Sequence, residues 1–385
     1  MQMDKIGLIS TNLAEKIAMT VTEAPYRVTA ETISNTCGQT ISSSGVWNMM
    51  QRLGERIAEE EQYAVKEMHA DRVQGEKVIP VLFEEMDGIW LHMQNSNHRK
   101  MKKQEMKVFT MYEGWDKEQK KRSSLVEKTM LAGMESSQIF HEKREALIEK
   151  KYNADEIQQR ILNGDGGSWI RETYDPDAIF QLDRYHIYQE ILRKISDRDA
   201  QREARKLFEE EKITEFLEFI LVYADSVETT DEKDKRSQKA RELYHYLNNN
   251  KDGLLPYQKQ GRKIPEPREG IVYKNMGVQE SQNCTVITMR MKHRRMRWSA
   301  KGANNLAKVL CCKENKELCS TIERYTDGLI FHARMNEVIE TLSAAKAPKK
   351  DGKGNPYVDV IRGHVSLLDA ATSASRKVFR DAFIR

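Results

Sequence analysis

The spacing of apolar residues divides the chain into regions of different secondary structure. Residues 197–250 contain no proline, and their apolar residues recur every three or four positions, as at Phe216 and Ile220. This period is typical of helices that bury one stripe of side chains. A cluster of prolines and glycines in residues 253–270 interrupts it. The pattern therefore predicts an all-helical module over residues 191–268.

Strand-like composition dominates the region before this module. Five such runs lie at residues 78–83, 106–112, 125–133, 157–162 and 178–183. A helical pattern at residues 138–151 separates the third run from the fourth, and a short helix fits between the last two. Three strands, a helix, a strand, a short helix and a strand predict a mixed α/β sheet.

The N-terminal region has the outline of two short helices. Residues 26–35 show helical spacing, Cys37 and Gly38 mark a turn, and serines before Val46 could cap a second helix through Leu53. A helix, a turn that contains glycine and a second helix are typical of DNA-binding helix-turn-helix units. An ordinary helical hairpin has the same outline, so both interpretations stay open at this point.

Composition narrows the class of protein and its surroundings. Charged residues make up 32% of the 385 residues, yet the formal net charge is only +4. The sequence has no apolar run of about 18 residues and no signal-peptide pattern, so we expect a cytoplasmic protein without membrane partners. Its five cysteines match neither an even disulfide set nor a zinc-binding spacing.

Acidic residues that follow strand-like runs are the candidates for chemistry. Asp87 and Asp165 each stand before a glycine at a predicted strand end. Because adjacent strands lie about 4.8 Å apart, acids on neighbouring strand ends can share Mg²⁺, which takes one or two carboxylates together with waters and phosphate oxygens. Two such ions about 3.5–4 Å apart assist in-line displacement at phosphorus. The alternative is an ordinary turn, since Asp-Gly is also a turn dipeptide.

Glu280 is the candidate third acid, at the start of a helical stretch after the proline-rich boundary. The most basic stretch of the chain follows it, with six Lys or Arg and no acid from Arg290 to Lys301. Basic side chains close to a metal-binding carboxylate suit a phosphodiester backbone, although a solvated helix face remains the alternative. The predicted phosphate contacts are Arg290, Lys292, Arg294, Arg295 and Arg297.

Two further polar residues stand at a predicted junction between a strand and a helix. Asp183 and His186 are three residues apart there, where they could support the ligands of a metal site. The alternative for His186 is a partly buried histidine with satisfied hydrogen bonds.

The motifs, taken in order, resemble those of a known family. They are Asp87-Gly-Ile-Trp, Tyr112-Glu-Gly-Trp, Asn163-Gly-Asp-Gly-Gly, Asp183-Arg-Tyr-His, Glu280-Ser and Arg290-Met-Lys. Over roughly residues 8–310 the chain resembles the ISLre-type insertion-sequence transposases, which are distantly similar to Mutator-type transposases. In the Mutator type a Cys/Asp-x-x-His motif follows the second catalytic aspartate, and Asp183 to His186 matches its Asp form.

The resemblance implies an α/β fold with a ribonuclease-H-like mixed sheet, an all-helical insertion before the last acid and an N-terminal helix-turn-helix region. It implies that Asp87, Asp165 and Glu280 form a D-D-E triad that holds two Mg²⁺ ions, with Mn²⁺ as a substitute. The implied activity is DNA transposition, in which a cut strand end attacks target DNA. DNA and further copies of the chain are the implied partners, and the implied DNA-binding residues of the second N-terminal helix are Ser43, Trp47 and Asn48.

The predicted organisation has five parts along the chain. They are a helix-turn-helix region at residues 1–62, a linker at 63–77, a catalytic core at 78–190 and 269–345, a helical insertion at 191–268, and a basic loop with a helical tail at 346–385. The family extends further at the N-terminus, so we expect a truncated copy, an alternative start or a gene fragment. Two rival functions stay open: a ribonuclease-H-like nuclease without strand transfer, and a non-catalytic DNA-binding remnant.

Overall fold

The structure is a computed structural model. It describes residues 10–38, 40–94, 103–118, 124–171, 175–229, 234–293 and 296–325. These residues form two compact units. The larger unit consists of the described residues from Glu60 to Met289, and the smaller unit consists of the described residues on either side of that range.

Three helices open the described chain. They are α1 (Thr11–Glu23), α2 (Tyr26–Cys37) and α3 (Ser43–His69). The Ser10 hydroxyl accepts a hydrogen bond from the Leu13 amide and caps α1. Gly38 ends α2 with φ at 65°, a left-handed conformation that glycine adopts without strain. Helices joined by a glycine-containing turn are therefore present at the predicted position, and their binding to DNA stays a prediction.

Helix α3 is longer than its sequence pattern predicted. The predicted DNA-binding region ended at residue 62 and a linker followed, whereas α3 continues to His69. The cause is composition, because residues 55–68 are rich in Glu, Ala, Gln and Lys, which favour helix. No proline or glycine interrupts them before Gly75.

The larger unit is built on a mixed β-sheet. The strands along the chain are β1 (Val81–His92), β2 (Lys103–Tyr112), β3 (Trp115–Asp116), β4 (Thr129–Gly133), β5 (Gln159–Gly164), β6 (Ile179–Leu182) and β7 (Ile271–Val272). Five of them form one sheet in the order β4-β2-β1-β5-β6, and β3 pairs with β7 separately. β2 runs antiparallel to β1 and β4, whereas β5 runs parallel to β1 and β6. The predicted mixed α/β class is confirmed.

Both faces of the sheet are covered by apolar side chains. On one face Leu82 and Met86 of β1 share a core with Phe140 of α4 (Ser137–Lys151). On the other face Val81 and Phe83 pack with aromatic residues that include Tyr257. Since successive side chains of a strand point to opposite faces, odd-numbered residues of β1 share the second face.

Helices connect and extend the sheet. Helix α5 (Ser168–Arg171) lies between β5 and β6, and α6 (Arg184–Lys194), α7 (Arg198–Glu209), α8 (Ile213–Ser226) and α9 (Arg236–Asn249) follow β6. In the described residues between β6 and β7 there are helices and 3₁₀ turns but no strand. Phe208, Phe216 and Leu243 share one apolar core there, as the period of 3.6 residues requires of stripes that face one another.

The chain after β7 is again helical. It contains α10 (Gln279–Gln282), a π-helical segment (Asn283–Thr288), α11 (Met289–Met291), α12 (Ala300–Glu314) and α13 (Leu318–Tyr325). Of the helices in the described part of the chain, none offers the long apolar stretch that crossing a membrane requires. The basic loop and helical tail predicted for 346–385 lie outside the described residues.

Candidate active site

Three aspartates come directly after a row of paired residues in the parallel part of the sheet. Met86 of β1 pairs with Gly164 of β5, which in turn pairs with Leu182 of β6. The next residue along each of these three strands is an aspartate: Asp87, Asp165 and Asp183. Because neighbouring strands lie about 4.8 Å apart, this register places the three aspartates side by side at one edge of the parallel pairing.

The prediction that Asp87 ends its strand is wrong. β1 continues to His92, and Asp87 pairs with Val108 of the antiparallel neighbour β2. Only the parallel pairing with β5 ends at this point, at Met86. The acid row, which consists of Asp87, Asp165 and Asp183, therefore lies where the pairing of β1 with β5 stops and its pairing with β2 continues.

The Asp87 carboxylate is nearly buried, with 8% of the residue exposed. Its Oδ1 accepts a hydrogen bond from the Gly88 amide at 2.7 Å and lies 3.6 Å from Nε2 of His186. Its Oδ2 accepts a hydrogen bond from Nδ2 of Asn283 at 2.6 Å. Both oxygens thus have partners, one from α6 and one from the chain after β7.

His186 brings positive charge to the acid row. Asp183 caps α6 by accepting a hydrogen bond from the Tyr185 amide at 2.8 Å, and His186 follows in the first turn. Burial lowers the pKa of His186, but the hydrogen bond and charge of Asp87, with the charges of Asp183 and Asp165, outweigh it and raise the pKa to about 9. The imidazole is therefore protonated at neutral pH.

Asp165 stands in a tight turn after β5. Its Oδ1 accepts a hydrogen bond from the Gly167 amide at 2.8 Å, and its backbone carbonyl accepts one from the Tyr246 hydroxyl of α9 at 2.8 Å. Burial raises the pKa of Asp165 and the charge of Asp87 adds to the effect, while the Gly167 amide and His186 oppose it. A carboxylate whose pKa is raised by burial and by a neighbouring negative charge lies in a field that favours a cation.

Asp183 is held from within the sheet. Its Oδ2 accepts a hydrogen bond from Nδ2 of Asn163 at 3.1 Å, and the same amide also reaches Glu85 at 3.1 Å. Burial raises the pKa of Asp183, with a smaller contribution from Asp87. Asp183 thus caps α6 with one oxygen and binds the sheet with the other.

The segment that carries Glu280 is anchored to β1. The fully buried carboxylate of Glu85 accepts hydrogen bonds from the amides of Gly277, Val278 and Gln279 at 3.1–3.2 Å. Carboxylates favour helix N-termini, where amides have no partner within the helix. Glu85 is two residues from Asp87, so α10 begins beside the acid row.

Glu280 itself is exposed in this arrangement. The structure thus brings Asp87, Asp165, Asp183 and His186 together and docks the Glu280 helix beside them. Among the described residues, no group of three or more His, Cys, Asp or Glu side chains is placed to hold a metal ion by itself. Joint metal binding by Asp87, Asp165 and Glu280 stays a prediction.

Sequence reasoning missed Asn283 and Glu85 because it considered residues at the predicted ends of strands and starts of helices, and neither residue stands there. Asn283 is 4% exposed and donates directly to Asp87. A pattern that would have indicated it is the spacing of Gln279 and Asn283, which are four residues apart and lie on one face of a helix. Glu85 alternates with Asp87 along β1, which places both side chains on the same face.

Comparison with known proteins shows the family. A model of the uncharacterised protein family UPF0236 matches residues 1–324. The chain belongs to this family.

Curated UPF0236 relatives come from Caldanaerobacter subterraneus subsp. tengcongensis. UPF0236 protein TTE2489 is 25% identical over 172 residues, which are 44% of this chain and 34% of the relative. A second relative, whose name joins four designations from TTE0610 to TTE2432, is 25% identical over 172 residues, 44% of this chain and 33% of its own length. A third, whose name joins eleven designations from TTE0033 to TTE2212, is 26% identical over the same shares. The chain thus spans about a third of the length of these UPF0236 relatives.

The described residues of the basic stretch of this UPF0236 chain do not all face the surface. Arg290 is 5% exposed, and its Nε donates a hydrogen bond to the Val21 carbonyl at 2.7 Å. Its guanidinium lies over the rings of Tyr26 and Trp298, and burial lowers its pKa. The predicted contact of Arg290 with phosphate disagrees with this burial, because the guanidinium lies against two rings in the smaller unit. Trp298 is also buried, and its indole donates to the Met291 carbonyl.

The other predicted DNA contacts have different positions. Lys292 and Arg297 are exposed, whereas Arg294 and Arg295 lie outside the described residues. Ser43, Trp47 and Asn48 are exposed in the first turns of α3. An exposed tryptophan at the start of a helix suits a contact surface, so these three residues remain candidates for DNA binding.

Proposed function

We propose that this chain is a D-D-E transposase that cleaves DNA and joins the cut strand to target DNA in the presence of Mg²⁺. The observation that carries the proposal is the register that sets Asp87 and Asp165 directly after the paired Met86 and Gly164 on adjacent parallel strands. Glu280 opens a helix that is anchored to the same strand through Glu85. A mixed sheet with acids at this edge and helices before the last acid supports a ribonuclease-H-like core.

The residues fit Mg²⁺ in their chemistry. Asp87, Asp165 and Glu280 supply carboxylate oxygens, the ligand type that Mg²⁺ prefers. Proteins usually hold Mg²⁺ through one or two carboxylates, and substrate phosphates with waters complete the site. Waters can therefore complete the coordination of Mg²⁺ before DNA binds, and substrate phosphates can replace some of them afterwards. When bound, Mg²⁺ or Mn²⁺ would neutralise charge on the transferring phosphoryl group.

The chain's own residues supply position and charge. Asp87 and Asp165 present oxygens from a rigid sheet edge, and Asp183 fixes the first turn of α6. His186 places a protonated imidazole beside Asp87, where it limits repulsion among the acids. Positioning and charge neutralisation are the main sources of catalysis in phosphoryl transfer.

The exposed basic and polar residues would hold the substrate. Lys292 and Arg297 are placed at the surface of the smaller unit, where they can contact backbone phosphates without reading sequence. Ser43, Trp47 and Asn48 would approach DNA from the start of α3. We expect several copies of the chain to act together on the two ends of an element.

The relatives add support of a different kind. The name of one relative joins eleven designations from a single strain. A protein with several designations in one strain is what a gene present in several copies would give, and insertion sequences multiply in this way.

Strand joining is the experiment that tests the proposal. The full chain would be incubated with a duplex that carries the DNA flanking its gene, a supercoiled plasmid target, and Mg²⁺ or Mn²⁺. We expect joined donor–target products from the wild type and from Asp155→Asn, an exposed control aspartate. Asp165→Asn keeps the shape but removes the charge, so it should abolish cleavage and joining while DNA binding persists.

Two other outcomes would contradict the proposal, and each would favour a different function. Nicked DNA without joined products would favour a nuclease on the same core. DNA binding without cleavage in either metal would favour a non-catalytic DNA-binding protein.

A further inference from the structure

We propose that Asn283 is a positioning residue that orients the Asp87 carboxylate for metal binding, an inference that rests on the function proposed above. Its Nδ2 donates to Asp87 Oδ2 at 2.6 Å. Both residues are buried, with 4% of Asn283 and 8% of Asp87 exposed. A buried amide at this distance restricts rotation of the carboxylate plane, because rotation would leave a buried donor without a partner.

The orientation of the Asn283 amide is itself fixed. Its Oδ1 accepts a hydrogen bond from Nε2 of Gln279 at 2.9 Å, so the opposite NH₂ group faces Asp87. The backbone amide of Gln279 donates in turn to Glu85. A chain of hydrogen bonds therefore runs from β1 to the helical segment and back to β1.

The two residues on β1 and the two residues on the helical segment are separated by similar distances. Glu85 and Asp87 are two residues apart on a strand, about 6.6 Å at 3.3 Å per residue. Gln279 and Asn283 are four residues apart on a helical segment, about 6 Å at 1.5 Å per residue. The segment consequently follows β1 in the same direction, with Glu280 held between the two contacts. Asn283 is also the first residue of the π-helical segment, an irregularity frequent at functional sites.

A neutral amide is suited to this task. The Asn283 amide fixes Asp87 without cancelling its charge, and so the carboxylate stays available to a cation. Residues that orient metal ligands in this way typically change metal affinity or activity by about 10- to 100-fold when they are removed.

The test compares three variants of the full chain by Mg²⁺ titration of thermal unfolding without DNA, and by nicking of supercoiled plasmid. Asn283→Ala removes the amide, and Asn283→Asp keeps its shape but places a second carboxylate against Asp87. Asn305→Ala is the matched control, because Asn305 is equally buried and donates from Nδ2 to Gln51 in the smaller unit.

For Asn283→Ala we expect about a tenfold rise in the Mg²⁺ concentration that gives half-maximal stabilisation and half-maximal nicking. Asn283→Asp should be less stable than the wild type without Mg²⁺ and show a larger Mg²⁺-induced shift, since a cation relieves the new repulsion. Asn305→Ala should lower the unfolding temperature and leave both Mg²⁺ midpoints unchanged.

The inference is overturned if both Asn283 variants keep the wild-type Mg²⁺ midpoints, or if Mg²⁺ does not stabilise the wild type. If Asn283→Ala fails to fold, Asn283→Asp decides the question: a Mg²⁺-induced shift of its unfolding temperature that is no larger than that of the wild type overturns the inference. A wild type that responds to Mg²⁺ through Asn283 but never joins DNA strands would contradict the proposed function and leave this inference standing.

Discussion

Nε2 of His186 lies 3.6 Å from Oδ1 of Asp87. A histidine from the first turn of α6 thereby faces an aspartate from the middle of β1, and Asp165 and Asp183 add their charges to the same field. The cluster balances several negative groups against one imidazolium. Its charge state consequently links pH to the stability of the larger unit.

The first prediction concerns that linkage. The pKa of His186 is raised from 6.5 to about 9 in the folded protein, so its stabilising effect is complete below about pH 6.5 and disappears as the pH rises through 9. We expect His186→Gln to lower the free energy of unfolding by at most about 3 kcal/mol at pH 6, and to have little effect at pH 10. Urea denaturation in EDTA measures the difference.

The exposed His293 in the smaller unit provides the control for this experiment. His293→Gln should change the free energy of unfolding equally little at both pH values. If His186→Gln lowers the free energy of unfolding by the same amount at pH 6 and pH 10, the electrostatic explanation is contradicted.

The second prediction concerns the turn after β5. Gly166 has φ at 80°, and a Cβ atom there would lie 2.5 Å from Oδ1 of Asn250. Gly166→Ala therefore combines backbone strain with a clash, and we expect a loss of stability of about 2–3 kcal/mol together with a loss of DNA cleavage. Gly261→Ala is the control, since Gly261 has φ at 77° with nothing within 4 Å.

Thermal unfolding separates the two contributions to the Gly166 effect. Gly261→Ala should cost about 1–2 kcal/mol, the strain of the left-handed conformation alone. Equal losses in both variants would show that Asn250 yields to the added methyl group and that the turn tolerates it.

The third prediction concerns the helix α9 and its contact with the acid row. The Tyr246 hydroxyl donates to the Asp165 carbonyl, so Tyr246→Phe removes one hydrogen bond to the turn that holds Asp165. We expect a stability loss of about 1 kcal/mol and a several-fold slower cleavage with unchanged affinity for DNA. Tyr244→Phe, on the same helix, should preserve cleavage. Slower cleavage in both variants would place the effect in the packing of α9 and not in the hydrogen bond.

The mixed sheet and its acids could be predicted because their signals are local. Strand-like composition marks each strand of the five-stranded sheet, although not β3 and β7, and a carboxylate before glycine marks Asp87 and Asp165. The row of three aspartates needs only the register of parallel neighbours. The extension of β1 beyond Asp87 could not be predicted, because it depends on pairing with β2 and not on β1 itself.

Contacts between distant parts of the chain account for the other failures. Glu85 and Asn283 are polar residues whose partners are supplied from nearly 200 positions away, and no local pattern indicates such a partner. Arg290 belongs to a run of basic residues, yet its guanidinium lies over the rings of Tyr26 and Trp298. Counting charges along the sequence cannot show which member of the run faces inward.

The last prediction uses that difference within the basic stretch. Arg290→Ala leaves a cavity beside two rings and removes a donor from the Val21 carbonyl, so we expect a stability loss of about 2–4 kcal/mol. The double substitution of Lys292 and Arg297 by alanine should change stability by less than about 0.5 kcal/mol for each residue replaced. It should instead weaken DNA binding and reduce the slope of log affinity against log salt by about 0.9 for each lost phosphate contact. Thermal unfolding and salt-dependent gel shifts on the same three proteins measure both effects. A double variant that binds DNA with the wild-type salt slope would exclude Lys292 and Arg297 from the phosphate-binding surface. A protein that has lost two phosphate contacts must release fewer counterions from DNA when it binds.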